Sequence, residues 1–137
     1  MIRRAIIAIL AATICATAAL AQTFGITPTV VGSASSSLVL KASPGNLYSV
    51  YANCSAACWL MVFNSVSVPS NGATTAGTAS GNMVECVPVV AGLATSINYG
   101  AAPTSAFYSV GITAAISSTS CATLTLASTG FIHGTVQ

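Results

Sequence analysis

Short apolar runs, many of them β-branched or aromatic, recur along the chain between clusters of Gly, Pro, Asn and Ser. No segment of the main body repeats its apolar positions at the 3.6-residue period of an amphipathic helix, so strands separated by turns are expected. Leu38-Val39-Leu40 leads into Ala42-Ser43-Pro44-Gly45-Asn46. There Pro presets φ, and Gly or Asn tolerates a positive φ, which predicts a turn. Alternation in the next run puts Leu47, Ser49 and Tyr51 on one face and Tyr48 and Val50 on the other. Trp59 to Phe63 is apolar at every position, the pattern of a strand covered on both faces. Met83 to Val90 reads as a strand that Pro88 confines to an edge or a bulge, because proline cannot donate to the ladder. Thr95 to Tyr99, Phe107 to Ile116, Thr123 to Ala127 and Gly130 to Val136 complete about eight strands at sandwich-like spacing. The predicted fold is all-β: one antiparallel β-sandwich, jelly-roll or immunoglobulin-like, preceded by a signal helix.

Two segments break this rhythm. Residues 70–82 are a low-complexity stretch of Ser, Asn, Gly, Ala and Thr with nothing large to bury, so an exposed, mobile loop is expected. Thr23 to Val31 alternates Phe24, Ile26, Pro28 and Val30 with small or polar residues. It is open between a first strand, a linker, and an arm for a neighbouring subunit, with Gly25 and Pro28 weighing against the strand. A pilin-like chain would lack a strand that a neighbour's arm supplies.

The N-terminus adds a compartment. Arg3 and Arg4 precede an uncharged, largely apolar stretch from Ala5 to Leu20, and Ala19-Leu20-Ala21 offers small residues for a signal peptidase. Residues 1–21 therefore read as a secretory signal peptide cut before Gln22. The apolar run falls short of the roughly 20 residues that span a bilayer. An uncleaved anchor is the weaker alternative, and the only membrane link expected. Cys15 follows bulky Ile14, a poor fit to lipidation, and goes with the discarded segment. The organisation is then signal peptide 1–21, linker or N-terminal arm 22–37, and β-sandwich domain 38–137. Periplasmic, cell-surface or extracellular placement follows.

Charge narrows the function. The sequence holds three Lys or Arg and one Asp or Glu. With the signal removed, only Lys41 and Glu85 remain strongly ionised, and a cross-strand pair between them would contribute about 0–1 kcal/mol if exposed. One carboxylate side chain excludes a two-carboxylate glycosidase site. It leaves a Ser-His-Asp arrangement without its Asp. His133, the only histidine, reads as a strand position with a structural or surface role. A single lysine cannot supply the phosphate contacts of a nucleic-acid interface, nor hold an anionic membrane surface. No Gly-rich segment has the strand-to-helix setting of a nucleotide loop. Asn53-Cys54-Ser55 fits a glycosylation sequon, weakened by its central cysteine. No catalytic, cofactor-binding or metal-binding residue is assigned, and the chain is read as no enzyme. A surface of Ser, Thr, Ala and Gly near neutrality favours association with copies of itself.

Export also changes the meaning of Cys54, Cys58, Cys86 and Cys121. Four cysteines in an oxidising compartment suggest two disulfides, with three connectivities open. The favoured one staples a hairpin through Cys54 and Cys58 and closes a loop of about 35 residues through Cys86 and Cys121, for roughly 3–4 kcal/mol. Zinc is the alternative, disfavoured by export and by the lack of paired short knuckles. Among Tyr48, Tyr51, Trp59, Tyr99, Phe107 and Tyr108, core packing is the default role. Trp59, Tyr99 and Tyr108 are the candidate ligand contacts, Tyr99 most of all because a Gly-Ala-Ala-Pro loop follows it. A coplanar exposed pair would favour a glycan ligand, whereas buried rings and an open sheet edge would favour assembly.

Leu40-Lys41-Ala42-Ser43-Pro44-Gly45-Asn46-Leu47-Tyr48 resembles the "LKA-PGNLY" opening of small, uncharacterised β-sandwich structural proteins encoded by phages, prophages and environmental bacteria. Glu85-Cys86-Val87-Pro88-Val89 and Ser120-Cys121-Ala122-Thr123 are similar to later parts of that pattern. The resemblance covers residues 38–134 and implies a virion-associated or surface structural role, with self-association or other surface and virion proteins as partners. The 70–82 loop is longer than the pattern, and a signal peptide is foreign to a virion subunit. The leading expectation is a structural or interaction module of a cell-surface, appendage or virion-like assembly. The rival is a secreted carbohydrate- or protein-binding module.

Overall fold

Eleven β-strands and no helix make up the residues described in the computed structural model, which are 29–74, 82–100, 105–126 and 130–137. Residues 1–28, which include the expected signal peptide, Cys15 and the first part of the expected linker or arm, lie outside them. The strands are β1 (Thr29–Ser33), β2 (Ser37–Lys41), β3 (Gly45–Cys54), β4 (Cys58–Asn64), β5 (Gly72–Ala73), β6 (Met83–Val89), β7 (Ala94–Asn98), β8 (Ala106–Tyr108), β9 (Ile112–Ser117), β10 (Thr123–Leu124) and β11 (Gly130–Val136). All pairs are antiparallel. The all-β, antiparallel expectation therefore holds.

The pairing nests like one long hairpin. β1 pairs with β11, β2 with β9, β3 with β7 and β8, and β4 with β6. Two further pairings, β11 with β3 and β9 with β4, close this hairpin into two sheets. The first sheet runs β1-β11-β3-β7, with β8 also on β3, and the second runs β2-β9-β4-β6. Leu47, Val50, Ala52 and Ile132 from the first sheet meet Leu60, Val62, Ile112 and Ile116 from the second in one buried cluster. Two glycines on β11 set how closely the sheets approach. A Cβ on Gly134 would come within 2.7 Å of Leu40 Cδ1. One on Gly130 would collide with Ile116 Cδ1. Leu40 and Ile116 thus seat in notches that only glycine leaves open, as close packing of an interior requires.

The continuous apolar run of β4 is covered twice. Leu60 and Val62 enter the inter-sheet core, while Met61 and Phe63 join Ala115 and Leu124 in a second cluster on the opposite face. That outer face is roofed by the β5–β10 ribbon. Here the loop reading of 70–82 is corrected at its start, although Ser70, Asn71 and Ala73 are exposed as expected. Gly72 and Ala73 pair with Leu124 and Thr123, and Thr74 is buried, donating its backbone N–H to Ala122 O at 3.1 Å. Asn71 Oδ1 accepts from Leu126 N at 2.9 Å. Residues 75–81 lie outside the described residues. Buried Ser117 steers the chain into the ribbon by donating to Thr123 O at 2.9 Å and accepting from Thr125 N at 3.1 Å.

Four other readings change. Of the ambiguous stretch Thr23 to Val31, residues 23–28 lie outside the described residues and the rest begins a strand, Thr29–Ser33, paired with its own chain's β11. Leu47 is buried together with Val50 and Ala52, because a register shift at Thr135/Val136 opposite Tyr48 flips the alternation there; a bulge re-aims side chains in this way. Phe107 to Ile116 divides into β8 and β9 in different sheets, its bend held by Asn64 Oδ1, which accepts from Val110 N at 2.9 Å. The Cys54–Cys58 segment joins β3 to β4 across sheets, so the disulfide clamps a corner rather than a hairpin. A second corner, β6 to β7, turns through Val90–Leu93 and donates Gly92 N–H to Cys54 O at 2.8 Å. Gly92 there has a φ of 74°, which the third position of such a turn needs. Pro88 lies on β6, an edge strand, as the sequence suggested.

Candidate functional site

The chemistry-bearing residues fall in three places. Both disulfides form, Cys54 with Cys58 and Cys86 with Cys121. Their thiols are therefore not metal ligands, and two disulfides fit an oxidising compartment. Cys86 shares its β6 face with neither Glu85 nor Val87; it pairs with outward Met61 and carries the covalent link to the ribbon.

Glu85 marks the second place. It stands opposite Val62, whose side chain enters the core, so the carboxylate is directed between the sheets. The Tyr99 hydroxyl, just past β7, donates to Glu85 Oε2. Tyr108 on β8 is 2% exposed, and its hydroxyl is buried with no hydrogen-bond partner of ordinary geometry. Burial first, then the bond to Glu85, holds the Tyr99 phenol far above its ordinary value. Burial also raises Tyr108, against an opposing effect of the neighbouring Tyr99 hydroxyl. Lys41 is not near: it ends β2, the opposite edge of the same sheet, with β9 and β4 between. The expected Lys41–Glu85 pair does not form.

This geometry predicts a pH response. Both phenols ionise at higher pH in the folded chain than in the unfolded one. Their contribution is therefore complete below the ordinary phenol value of about 10 and is lost as pH rises beyond it. Urea midpoints should stay level up to that range and fall above it, and Tyr99→Phe should flatten the fall. An unchanged alkaline slope in Tyr99→Phe would contradict the assignment.

The third place is the outer face of the first sheet. His133 on β11 lies directly between Tyr51 on β3 and Gly32 on β1, with Phe131 one pleat away. The Tyr51 and His133 ring centroids are 5.0 Å apart at 76°, and those of Tyr51 and Phe131 are 5.9 Å apart at 38°. Around them stand Ser49, Asn53, Ser96 and Thr135, all neutral.

The candidate contacts Trp59, Tyr99 and Tyr108 do not come together. Tyr108 is core and Tyr99 is half-buried on Glu85. Trp59 is half-buried on the other sheet, opposite Pro88 and Ser117. The exterior ring cluster of Tyr51, Phe131 and His133 was missed because it depends on β3 pairing with β11, a contact between distant parts of the chain. The local signal was the two-residue spacing of Phe131 and His133, which puts both on one face. Against known protein families, curated proteins and solved structures, the chain finds no match.

Proposed function

We propose that the chain is an exported, non-enzymatic structural or interaction module of a cell-surface, appendage or virion-like assembly, built on a jelly-roll β-sandwich. The nested pairing supports the jelly-roll reading over the immunoglobulin-like one. Counting β7 and β8 as one interrupted strand and leaving out the ribbon, eight strands pair first with last and inward in order, as in a double Greek key rolled into two sheets. Such folds serve capsids and lectins alike, so the fold alone does not choose between assembly and sugar binding.

One observation carries the assembly reading: the reactive groups are engaged in structure. Glu85 accepts from Tyr99, the four cysteines are bonded in pairs, and His133 packs on Tyr51. Among the described residues, apart from Lys41 at the end of β2, what faces outward is neutral and in places apolar, with Val30, Val84, Val90, Leu93 and Phe107 all more than half exposed. A surface of that kind is suited to other protein surfaces rather than to ions or polar transition states. The glycan reading is weaker, because the exterior rings are inclined to one another and form no coplanar pair. The signal peptide at 1–21 and the "LKA-PGNLY" resemblance belong to the same proposal. Sizing and electron microscopy of the exported protein test it. Ordered or multimeric material is expected; discrete monomers retained on a glycan column would overturn it.

A further inference from the structure

We propose that β1 is a pairing edge for the β1 of a second copy, antiparallel about a twofold axis at Val31. This rests on the interaction-module reading and names the surface through which it acts. Edge strands invite pairing, and proteins guard them with charge, proline, inward-pointing charged residues, bulges or short strands. Here β2 ends in Lys41 and shifts register between Val39 and Lys41. β6 carries Pro88, which has no N–H to donate, and directs Glu85 inward. The far side of β3 is bordered by two separate pieces, β7 and β8, so that edge is interrupted between Asn98 and Ala106. β1 is an uninterrupted edge. Thr29-Val30-Val31-Gly32-Ser33 has no charge, no proline and no register shift against β11. Among the described residues, no strand borders its outer side.

A full-length antiparallel match of β1 with itself has one register. Thr29 faces Ser33, Val30 faces Gly32, and Val31 faces its own copy. Val30 and Gly32 lie on the outer face, level with Thr135 and His133 of β11. The position a Cβ would take on Gly32 is bordered by His133 Cδ2 at 3.3 Å and Phe131 Cζ at 3.4 Å. In the paired register, Val30 of the second copy arrives beside Gly32, against the edges of these rings. Val30 is 61% exposed and Phe131 38%, and one pairing covers both. Cross-strand contacts between aromatic and β-branched side chains are themselves favourable. Ring packing over an edge glycine accounts for His133 and Phe131 within one chain, but it leaves Val30 uncovered; the second copy accounts for all three. A patch of five residues a side is small beside the about 20–30 of a standard interface. Pairing is therefore weak in dilute solution and grows where copies are concentrated on a surface or along an appendage.

Two variants of the exported protein test this. In sedimentation equilibrium the natural chain should pass from monomer toward dimer with rising concentration, and Val30→Lys should weaken that association by roughly tenfold or more, since a lysine on an edge opposes pairing. Val30 is exposed, so this variant should keep the fold, with a thermal unfolding midpoint near that of the natural chain as the check. Val31→Cys should give a covalent dimer on mild oxidation, because facing residues of an antiparallel pair fall within disulfide reach. Ser96→Cys, on the other edge of the sheet, should not. Association that survives Val30→Lys, with no Val31→Cys dimer, overturns the β1 contact and leaves the module reading standing. A chain that is monomeric at every concentration also overturns the contact; retention of that monomer on a glycan column overturns the module reading with it.

Discussion

Replacing Cys86 and Cys121 together by Ala is expected to lower stability by about 3–4 kcal/mol, the chain-entropy value for a loop of this length. The bond joins positions 35 apart in sequence, so its removal frees a long loop in the unfolded chain. The folded chain should also respond. Cys86 lies on β6 beneath the ribbon and Cys121 just before β10, and both pack against Met61, Phe63 and Leu124. Without the bond, β5 and β10 keep a two-residue pairing and polar contacts that include those of Ser117, Thr119, Thr74 and Asn71, with no covalent tie to β6. Water then reaches Met61 and Phe63. Denaturant unfolding should show a lower midpoint, and hydrogen exchange should show the loss of protection concentrated in β5, β10 and the outward residues of β4. The Cys54/Cys58 double substitution is the contrast: its loop of four closes a corner and contributes about 2 kcal/mol in the same treatment. Equal midpoint losses in the two variants would show that the Cys86–Cys121 bond has no special hold on the ribbon.

The local pattern revealed nearly every main strand and the double covering of β4, because periodicity and turn residues act within a few positions. Thr29–Ser33 stayed ambiguous because a short strand beside Pro28 has no intrinsic preference strong enough to decide it; β11 decides it, about a hundred positions away in sequence. A long separation in sequence likewise hid the Tyr51–His133 contact. Leu47 misled for a different reason: strict alternation presumes a regular ladder, and the register shift opposite Tyr48 breaks it. The Cys54–Cys58 spacing fits a hairpin tip and a corner between sheets equally well, since both reverse the chain over a few residues. Segment 70–82 looked wholly exposed because composition predicts what a stretch can bury itself. It does not predict what a stretch can roof, and Gly72 and Ala73 contribute backbone pairing and almost no side chain. For the site, low charge was the legible part. That Glu85 would turn inward to Tyr99 while Lys41 sat on the opposite edge is a matter of strand order, which no local pattern encodes.

Phe63→Ala puts the roofed face of β4 to the hardest test. Phe63 is fully buried, on the far side of the sheet from the main core, against Met61, Ala115 and Leu124. Truncating a buried Phe costs about 3–5 kcal/mol when its surroundings cannot collapse into the space. Rigid surroundings are expected here, because β4 is held by β6 and β9 on its two sides and the ribbon is tied by a covalent bond. Without the Cys86–Cys121 bond, the ribbon is free to move toward the space or to admit water, and the same truncation should cost less. Residues in contact couple by about 0.5–3 kcal/mol, so the combined variant should be more stable by that amount than the sum of the separate losses predicts. Urea unfolding of the four proteins in this cycle measures the difference directly. Strict additivity would mean that Phe63 is held by the sheet alone and that the ribbon lies on it without bearing on its packing. A Phe63→Ala cost below about 1 kcal/mol, the level of an exposed position, would mean that the face is open to solvent and the outer cluster is not a core at all.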